Sequence, residues 1–367
     1  MSIDNTLPIV YTNIKGYKVL QIERMISMPR KKTRTENPVP IQMLDRLKAK
    51  HKGLSEMFKI FDECESIVSE KMPDIKYDPR CFLPSAFITE LMKQFGTGIE
   101  SNYNIASLFH LAAWRRYKQI YSFDADFVNV LVDSATDELI PCEALKAVPY
   151  PSFYVEINGE SNIGKGIIGF FVSFDIVGQD LMLDLMAICD DHTITSTPII
   201  INDKMTIQDS FKEIKRLCQG TDAERVSNKN IKILSDFATK AIQLVLYICA
   251  VNADIIENES QKTYKRKPSN YKLEKDIARE CAKWDVGYRI GNVIRMQHSN
   301  DSDYAEREYT QNHKHTPKRP HVRRGHFHHF WKGSSLKGTK ELILKWIPPQ
   351  FINANLDELP AVIKEVR

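Results

Sequence analysis

Between positions 313 and 333 the chain gathers side chains that can move protons, hold phosphate or stack on bases. Six of its ten histidines fall between 313 and 329. The run Lys318-Arg319-Pro320-His321-Val322-Arg323-Arg324-Gly325-His326-Phe327-His328-His329-Phe330-Trp331-Lys332-Gly333 sets them among arginines and aromatic rings. Imidazole titrates near neutral pH. A histidine pair beside a guanidinium can therefore do metal-free acid–base chemistry on RNA, with arginine stabilising charge on phosphorus. The same set can bind RNA without chemistry, by phosphate contact and stacking. On an extended strand His326 and His328 share one side with Arg324. Zinc held by His321, His326 and His328 is a third option, disfavoured by the absence of a cysteine and by cationic surroundings. A fourth reading is structural: arginine and histidine pin a hairpin to the body, and Gly325, Trp331 and Trp346 suit such tight packing.

Other chemistry-like patterns are weaker. Gly159-Glu-Ser-Asn-Ile-Gly164-Lys165-Gly166 nearly spells a phosphate-binding loop after a strand. However, Gly166 stands where a hydroxyl would hold Mg²⁺, and Ile167 to Val172 reads as strand, so a hairpin turn is expected. Glu156, Asp175 and Asp184 lie in three successive predicted strands and could hold a metal for phosphodiester cleavage. Polar residues on a sheet's wet face are the plainer account. Trp114-Arg115-Arg116-Tyr117 reads as helix packing plus surface charge, and Lys265-Arg266-Lys267-Pro268 as a solvated loop.

The elements that must carry these residues follow from periodicity. Residues 1–40 read as an arm, with a hairpin signal at Lys15-Gly16, a basic run at Arg30 to Arg34, and Pro38 and Pro40. Leu44, Leu47, Leu54, Met57, Phe58 and Phe61 recur at helical spacing, with a break near Gly53. Ser101 or Asn102 can cap a second helix that runs to about Ile120. The period then changes: Phe153 to Ile157, Ile167 to Val177, Leu181 to Cys189 and Pro198 to Ile201 read as an antiparallel meander. Thr206 can cap a helix to about Cys218. Ile231 to about Ile255 predicts a long central helix. Leu273 to about Gln297 predicts an amphipathic one, in which Gly287 and Gly291 leave a strip for close approach. Residues 298–320 read as loop. Val322 to Trp331 and Glu341 to Ile347 form a hairpin that Pro348-Pro349 terminates.

Composition sets the frame. The chain has 367 residues, 43% hydrophobic and 27% charged, which is enough to bury a core and argues against wholesale disorder. The most apolar stretch, Ala241 to Ala253, is too short to span a bilayer and is interrupted by Gln243 and Asn252. The N-terminus MSIDNTLPIVYT lacks the pattern of a secretory leader. Seven cysteines, with no C-x-x-C pair, argue for reduced thiols in a cytoplasm. The net charge is +4; residues 311–340 alone carry +8 and no acid, which leaves the remainder at −4. That local basicity marks a surface for an acidic partner.

A larger pattern joins these segments. Gly287-Tyr-Arg-Ile-Gly291, Arg295, Lys318-Arg-Pro-His321-Val-Arg323-Arg324-Gly325-His326-Phe-His328, Trp331-Lys-Gly333 and Lys345-Trp346-Ile-Pro348 resemble the C-terminal signature of phage- and plasmid-borne type V-A anti-CRISPR proteins. Weaker likeness extends upstream through Leu244 to Asp254, the strands at Phe153 and Gly169, and Ala113-Trp114-Arg115, covering about 80 to 353. The resemblance implies a cytoplasmic protein in a bacterial host. Such a protein recognises the emerging N-terminal peptide of a type V-A effector nuclease, and the encoding mRNA is then lost. It implies a nascent polypeptide as partner, with ribosome or mRNA nearby. No cofactor, metal or membrane is expected. The motif positions carry over as candidate binding residues: His321, Arg323, Arg324, Gly325, His326, His328, Trp331 and Trp346. Whether the chain is also an enzyme, a ribonuclease using histidine and arginine, stays open, as does plain nucleic-acid binding. The expected fold is α+β: a mainly antiparallel sheet packed against long helices, with a C-terminal β-hairpin. The expected organisation is an arm (1–40), a body (41–297) and a basic loop with docked hairpin (298–367).

Overall fold

A computed structural model describes residues 12–14, 17–19, 37–50, 53–65, 78–94, 105–134, 139–190, 194–218, 228–258, 280–295, 321–334 and 338–352. Around Lys15-Gly16, β1 (Thr12–Ile14) and β2 (Tyr17–Val19) pair antiparallel, where the hairpin signal lay. The centre is a seven-stranded sheet: β3 (Gln119–Asp124), β4 (Ser152–Asn158), β5 (Ile167–Val177), β6 (Asp180–Cys189), β7 (Ile194–Ile201), β8 (Ile255–Glu257) and β9 (Ala282–Val286), in spatial order β7-β6-β5-β4-β3-β9-β8. The meander β4 to β7 is antiparallel throughout, and its β-branched and aromatic residues suit strands buried on both faces. The stretch from Gly159 to Gly166 is the turn between β4 and β5, with φ of 109° and 74° at its two ends. No helix follows that turn to cradle a phosphate.

Two central strands depart from the helices that periodicity suggests. The helix expected to reach Ile120 stops at Tyr117, because Lys118 takes a left-handed φ of 50° and the chain enters β3. The helix expected from Leu273 to Gln297 is not one element. Residues 282–286 form β9, parallel to β3, then Gly287 turns at φ 71° and a helix covers 288–295. Apolar spacing read across this strand–turn–helix junction mimics a single helical stripe. Pairing with β3 decides otherwise. β3 is parallel to both β4 and β9, and the remaining pairings are antiparallel, so the sheet is mixed and mainly antiparallel within an α+β fold.

Helices cover both faces. On one lie α1 (Val39–Lys50), α2 (Leu54–Glu65), α3 (Ser85–Gln94) and α4 (Ile105–Tyr117), around Phe61, Phe109, Trp114, Tyr154 and Phe171. Gly53 marks the break between α1 and α2. The Ser101 or Asn102 cap and the Lys265 loop lie outside the described residues. Arg115 donates to Phe58 O at 2.9 Å and pairs with Asp62, while Arg116 pairs with Asp62 and Glu65. The Trp-Arg-Arg-Tyr run therefore clamps α4 to α2.

On the other face lie α5 (Ala125–Val132), α6 (Ile207–Cys218) and α7 (Asn228–Cys249), around Phe127, Phe170, Val245 and Tyr247. Thr206 caps α6 as expected, with Asp209 N donating to Thr206 Oγ1 at 3.1 Å and the Thr206 hydroxyl donating back to the Asp209 carboxylate. α7 ends at Cys249, short of the expected Ile255, which instead opens β8.

The three strand carboxylates share one sheet face by register, yet each is engaged separately. Glu156 accepts from Ser122 Oγ at 3.0 Å and from Lys283. Asp175 accepts from Ser85 N at 2.9 Å, at the start of α3, and burial pushes its carboxyl up to about 6. Asp184 accepts from Ser196 Oγ at 2.6 Å and lies 3.5 Å from His110 Nε2, whose Nδ1 is 2.9 Å from Ser173 Oγ. His110 is completely buried, so this Ser–His–Asp set is a seam between α4 and the sheet that no substrate reaches.

The C-terminal part contains two ribbons. β10 (His321–Arg323) pairs with β13 (Gln350–Ile352), and β11 (His326–Lys332) with β12 (Glu341–Ile347). The single strand expected from Val322 to Trp331 is thus split at Arg324-Gly325. Pro348-Pro349 interrupts the facing chain at the same level and removes the donors that a continuous ladder needs. At this bend Gly325 is wedged: a Cβ there would sit 3.2 Å from each of Ile347 O, Pro349 Cδ and Ser134 Oγ.

Candidate binding surface on the C-terminal ribbon

Strand alternation divides the β11–β12 ribbon into two faces. Phe327, His329 and Trp331 share a side with Trp346, Leu344 and Leu342. At the base this side is core: Phe327, Leu344 and Trp346 are buried. The Trp346 indole meets the Phe127 ring of α5 edge-on at 5.3 Å and the Tyr247 ring of α7 at 5.4 Å. Its Nε1 points at Ser134 Oγ, 3.3 Å away. Asn252, just past α7, clamps the Trp346 backbone from both sides, accepting from its N at 3.0 Å and donating to its O at 2.8 Å. Val251 N donates to Leu344 O at 2.9 Å. Residues 251–252 thereby close the outer edge of β12. Among the described residues no strand pairs with the opposite edge, that of β11.

The other side of the ribbon carries His326, His328, Phe330 and Lys332 across from Ile347, Lys345, Ile343 and Glu341. His328, Phe330, Lys332 and Lys345 are exposed, His326 is half-buried, and Arg324 just before the strand is exposed. Among the described residues, Arg324 makes no ion pair, and neither His326 nor His328 has a hydrogen-bond partner. The His328 and Phe330 rings lie 6.2 Å apart, and Lys345 Nζ sits 5.8 Å from the Phe330 centroid. Trp331 has inward register but lies beyond the body and is exposed, with Lys340 Nζ 4.3 Å over its ring. His321 and Arg323 lie in β10, where the structure fixes the backbone pairing alone. Among the described residues, no three His, Cys, Asp or Glu side chains converge as metal ligands.

The segment at 287–295 forms a latch on α5. Asp124 caps α5, accepting from Asp126 N at 3.1 Å and Phe127 N at 3.2 Å. Arg295 Nη1 donates to both Asp124 oxygens, at 3.1 and 2.9 Å, and to Asp126 at 2.6 Å, and these bonds raise its already high pKa. A Cβ on Gly291 would strike the Asp124 carboxylate, and one on Gly287 the Phe127 ring. The glycine strip expected to permit close approach does so, with Gly287 in the turn and Gly291 in the helix. Phe127 also touches Trp346, so the latch and the ribbon meet on α5. Residue types alone did not reveal Asp124 as the hub, although an aspartate just ahead of the apolar run Phe127 to Val132 is a helix-start signal. The Phe330–Lys345 and Trp331–Lys340 pairs were also missed, because lysine spacing on a second strand says nothing until the register is known.

The AcrVA2-like family, anti-CRISPR type V subtype A2, matches residues 121–354, from within β3 through β13. Protein FinQ of Escherichia coli is 28% identical over 277 residues, covering 69% of this chain and 78% of FinQ. The crystal structure of AcrVA2 superposes with a TM-score of 0.54 at 17% identity, covering 85% of this chain and 98% of that one, which is a likeness of fold. The family match spans well over half of the sequence and contains both the latch and the ribbon, and on that ground the chain belongs to the AcrVA2-like family of type V subtype A2 anti-CRISPR proteins.

Proposed function

We propose that this protein recognises the nascent N-terminal peptide of a type V-A CRISPR effector nuclease in the cytoplasm of a bacterial host and lowers the nuclease's expression through loss of its mRNA. The observation that supports this reading is the edge of β11, which no strand among the described residues pairs, on a ribbon anchored through Trp346. An emerging peptide is extended and has unpaired backbone groups. It can add as a third strand to such an edge, where main-chain bonds supply affinity and flanking side chains supply selectivity. Arg324, His326 and His328 flank that edge. Gly325 and Trp346 hold the ribbon in place and do not touch the peptide.

The test uses two reporter messages in cells that make the protein. One encodes the nuclease's N-terminal peptide with synonymous codons, and the other keeps most of the nucleotide sequence but shifts the reading frame. mRNA loss should follow the peptide. Loss that follows the nucleotides instead refutes peptide recognition.

A second reading is a metal-independent ribonuclease, favoured by His326 and His328 sharing one side of β11 with the exposed Arg324 next to that strand in sequence. Against it, no described group orients either imidazole, as an effective general base requires. Purified protein should leave labelled RNA intact in EDTA. Cleavage that disappears in His326→Ala would establish the enzyme.

A further inference from the structure

The distal half of the β11–β12 ribbon differs from its base. Phe330 and Trp331 are 37% and 41% exposed, although Trp331 has the register of the buried Phe327. The ribbon therefore runs past the body and carries two bare rings, one on each of its sides. Each ring has a lysine beside it, Lys345 for Phe330 and Lys340 for Trp331. Beyond the two strands the described residues are joined across the ribbon: Gly333 has φ 94°, Thr339 N donates to Ser334 O at 3.1 Å, and Ser334 N donates to Thr339 Oγ1 at 3.1 Å. Lys332, Lys340 and Lys345 outnumber the single acid Glu341 on the described tip, at one end of a sequence window that holds no acid from 311 to 340.

We propose that this tip binds single-stranded RNA. One base stacks on Phe330 and a second on Trp331, while Lys332, Lys340 and Lys345 hold the flanking phosphates. The chemistry selects this partner. Two isolated rings on opposite sides of a thin ribbon, each beside a lysine, make no continuous apolar patch of the kind that protein interfaces bury at their centre, where lysine is depleted. Separated rings with cations suit unstacked bases, and stacking tolerates any sequence. A duplex keeps its bases stacked on each other and cannot straddle the ribbon. This proposal names an RNA contact of the same ribbon and rests on the reading above only for the source of that RNA.

The test is fluorescence anisotropy with the full-length protein, an unstructured labelled oligouridine of about twelve nucleotides and a duplex of equal charge. The expected result is preference for the single strand. Phe330→Ala with Trp331→Ala should weaken binding about tenfold or more, and Trp331→Phe should retain it. Melting of the double variant should be unchanged, since neither ring is in the core. Equal binding by the folded double variant overturns the proposal, as does equal competition by the duplex, because charge alone would then explain the affinity. If the double variant loses peptide capture and keeps RNA, the tip is a protein contact and the proposal fails, while the peptide reading stands. Lost peptide capture in Arg324→Ala with RNA binding intact separates the two in the other direction.

Discussion

Residues 287–295 and 324–331 carry similar chemistry and end in different circumstances. Both segments hold glycine, arginine and an aromatic ring. In the first, Arg295 reaches carboxylates about 170 residues earlier in the chain, Asp124 and Asp126, and its glycines let the backbone press against α5. In the second, Arg324 meets no described carboxylate, and His328 stands in solvent. The difference is one of supply. An arginine becomes structural when the fold delivers an acid to it, and it stays available when the fold does not. The ribbon contains both outcomes within a few residues. Alternation along a strand sends Phe327 into the core and His326 and His328 to the other side. The idea that the whole cationic ribbon is either a working surface or internal mortar is therefore too coarse, because one strand is both.

The largest effect that would break this contrast lies in the latch. Gly287→Ala places a methyl against the Phe127 ring at a φ of 71°, adding steric overlap to backbone strain. The expected loss is about 3 kcal/mol or more, read by chemical denaturation. A variant that unfolds like the parent would mean the close approach does not exist. Trp346→Ala should cost about 3 to 5 kcal/mol, because it empties a site between α5, α7 and the ribbon. If its cost were small, the ribbon would not be anchored there and its outward face would lose its meaning.

Carboxylates sharpen the same contrast. Asp124 has a guanidinium, whereas Asp175 is buried and held by Ser85 and Ile176 backbone N–H groups and by the Ser85 hydroxyl. Burial lifts its pKa from 3.8 to about 6, so the folded state favours the protonated form. Its contribution is fully present below pH 3.8 and is lost as pH rises towards 6. Asp175→Asn keeps the acceptor and removes the buried charge. The variant should match the parent near pH 4 and exceed it above pH 6, by on the order of 2 kcal/mol. Thermal melts at the two pH values check this, and an equal gain at both would assign the effect to packing.

The smallest stability effect belongs to the outward face. Arg324→Ala with His328→Ala should shift stability by no more than about 0.5 kcal/mol. The same variant should abolish the loss of nuclease mRNA in cells, measured by quantitative hybridisation. A fall in melting temperature would move these residues into the structural group, and full activity would remove them from the mechanism.

Much of the fold is local and therefore legible. The meander from Phe153 to Ile201 shows its period and its turns, Thr206 stands three residues before Asp209, and Pro348-Pro349 stops β12. β3 and β9 were hidden because both are short and abut helices. Gln119 to Asp124 follows α4 after a single left-handed residue, and Ala282 to Val286 precedes a helix after a single glycine. Windows longer than either strand average the two periods together. In the candidate site, the shared side of His326 and His328 followed from strand geometry. The inward turn of Trp346 and the reach of Arg295 to Asp124 required neighbours from distant parts of the chain.

Residue types and their order, then, determined which side chains this protein has to work with, where most strands and caps fall, and the local excess of positive charge, because those properties depend on near neighbours. The tertiary structure alone decided which arginines are neutralised, which of two tryptophans is buried and which ribbon edge is left unpaired among the described residues. Each of those depends on what a distant segment brings within a few ångströms, and one-dimensional periodicity carries no record of that.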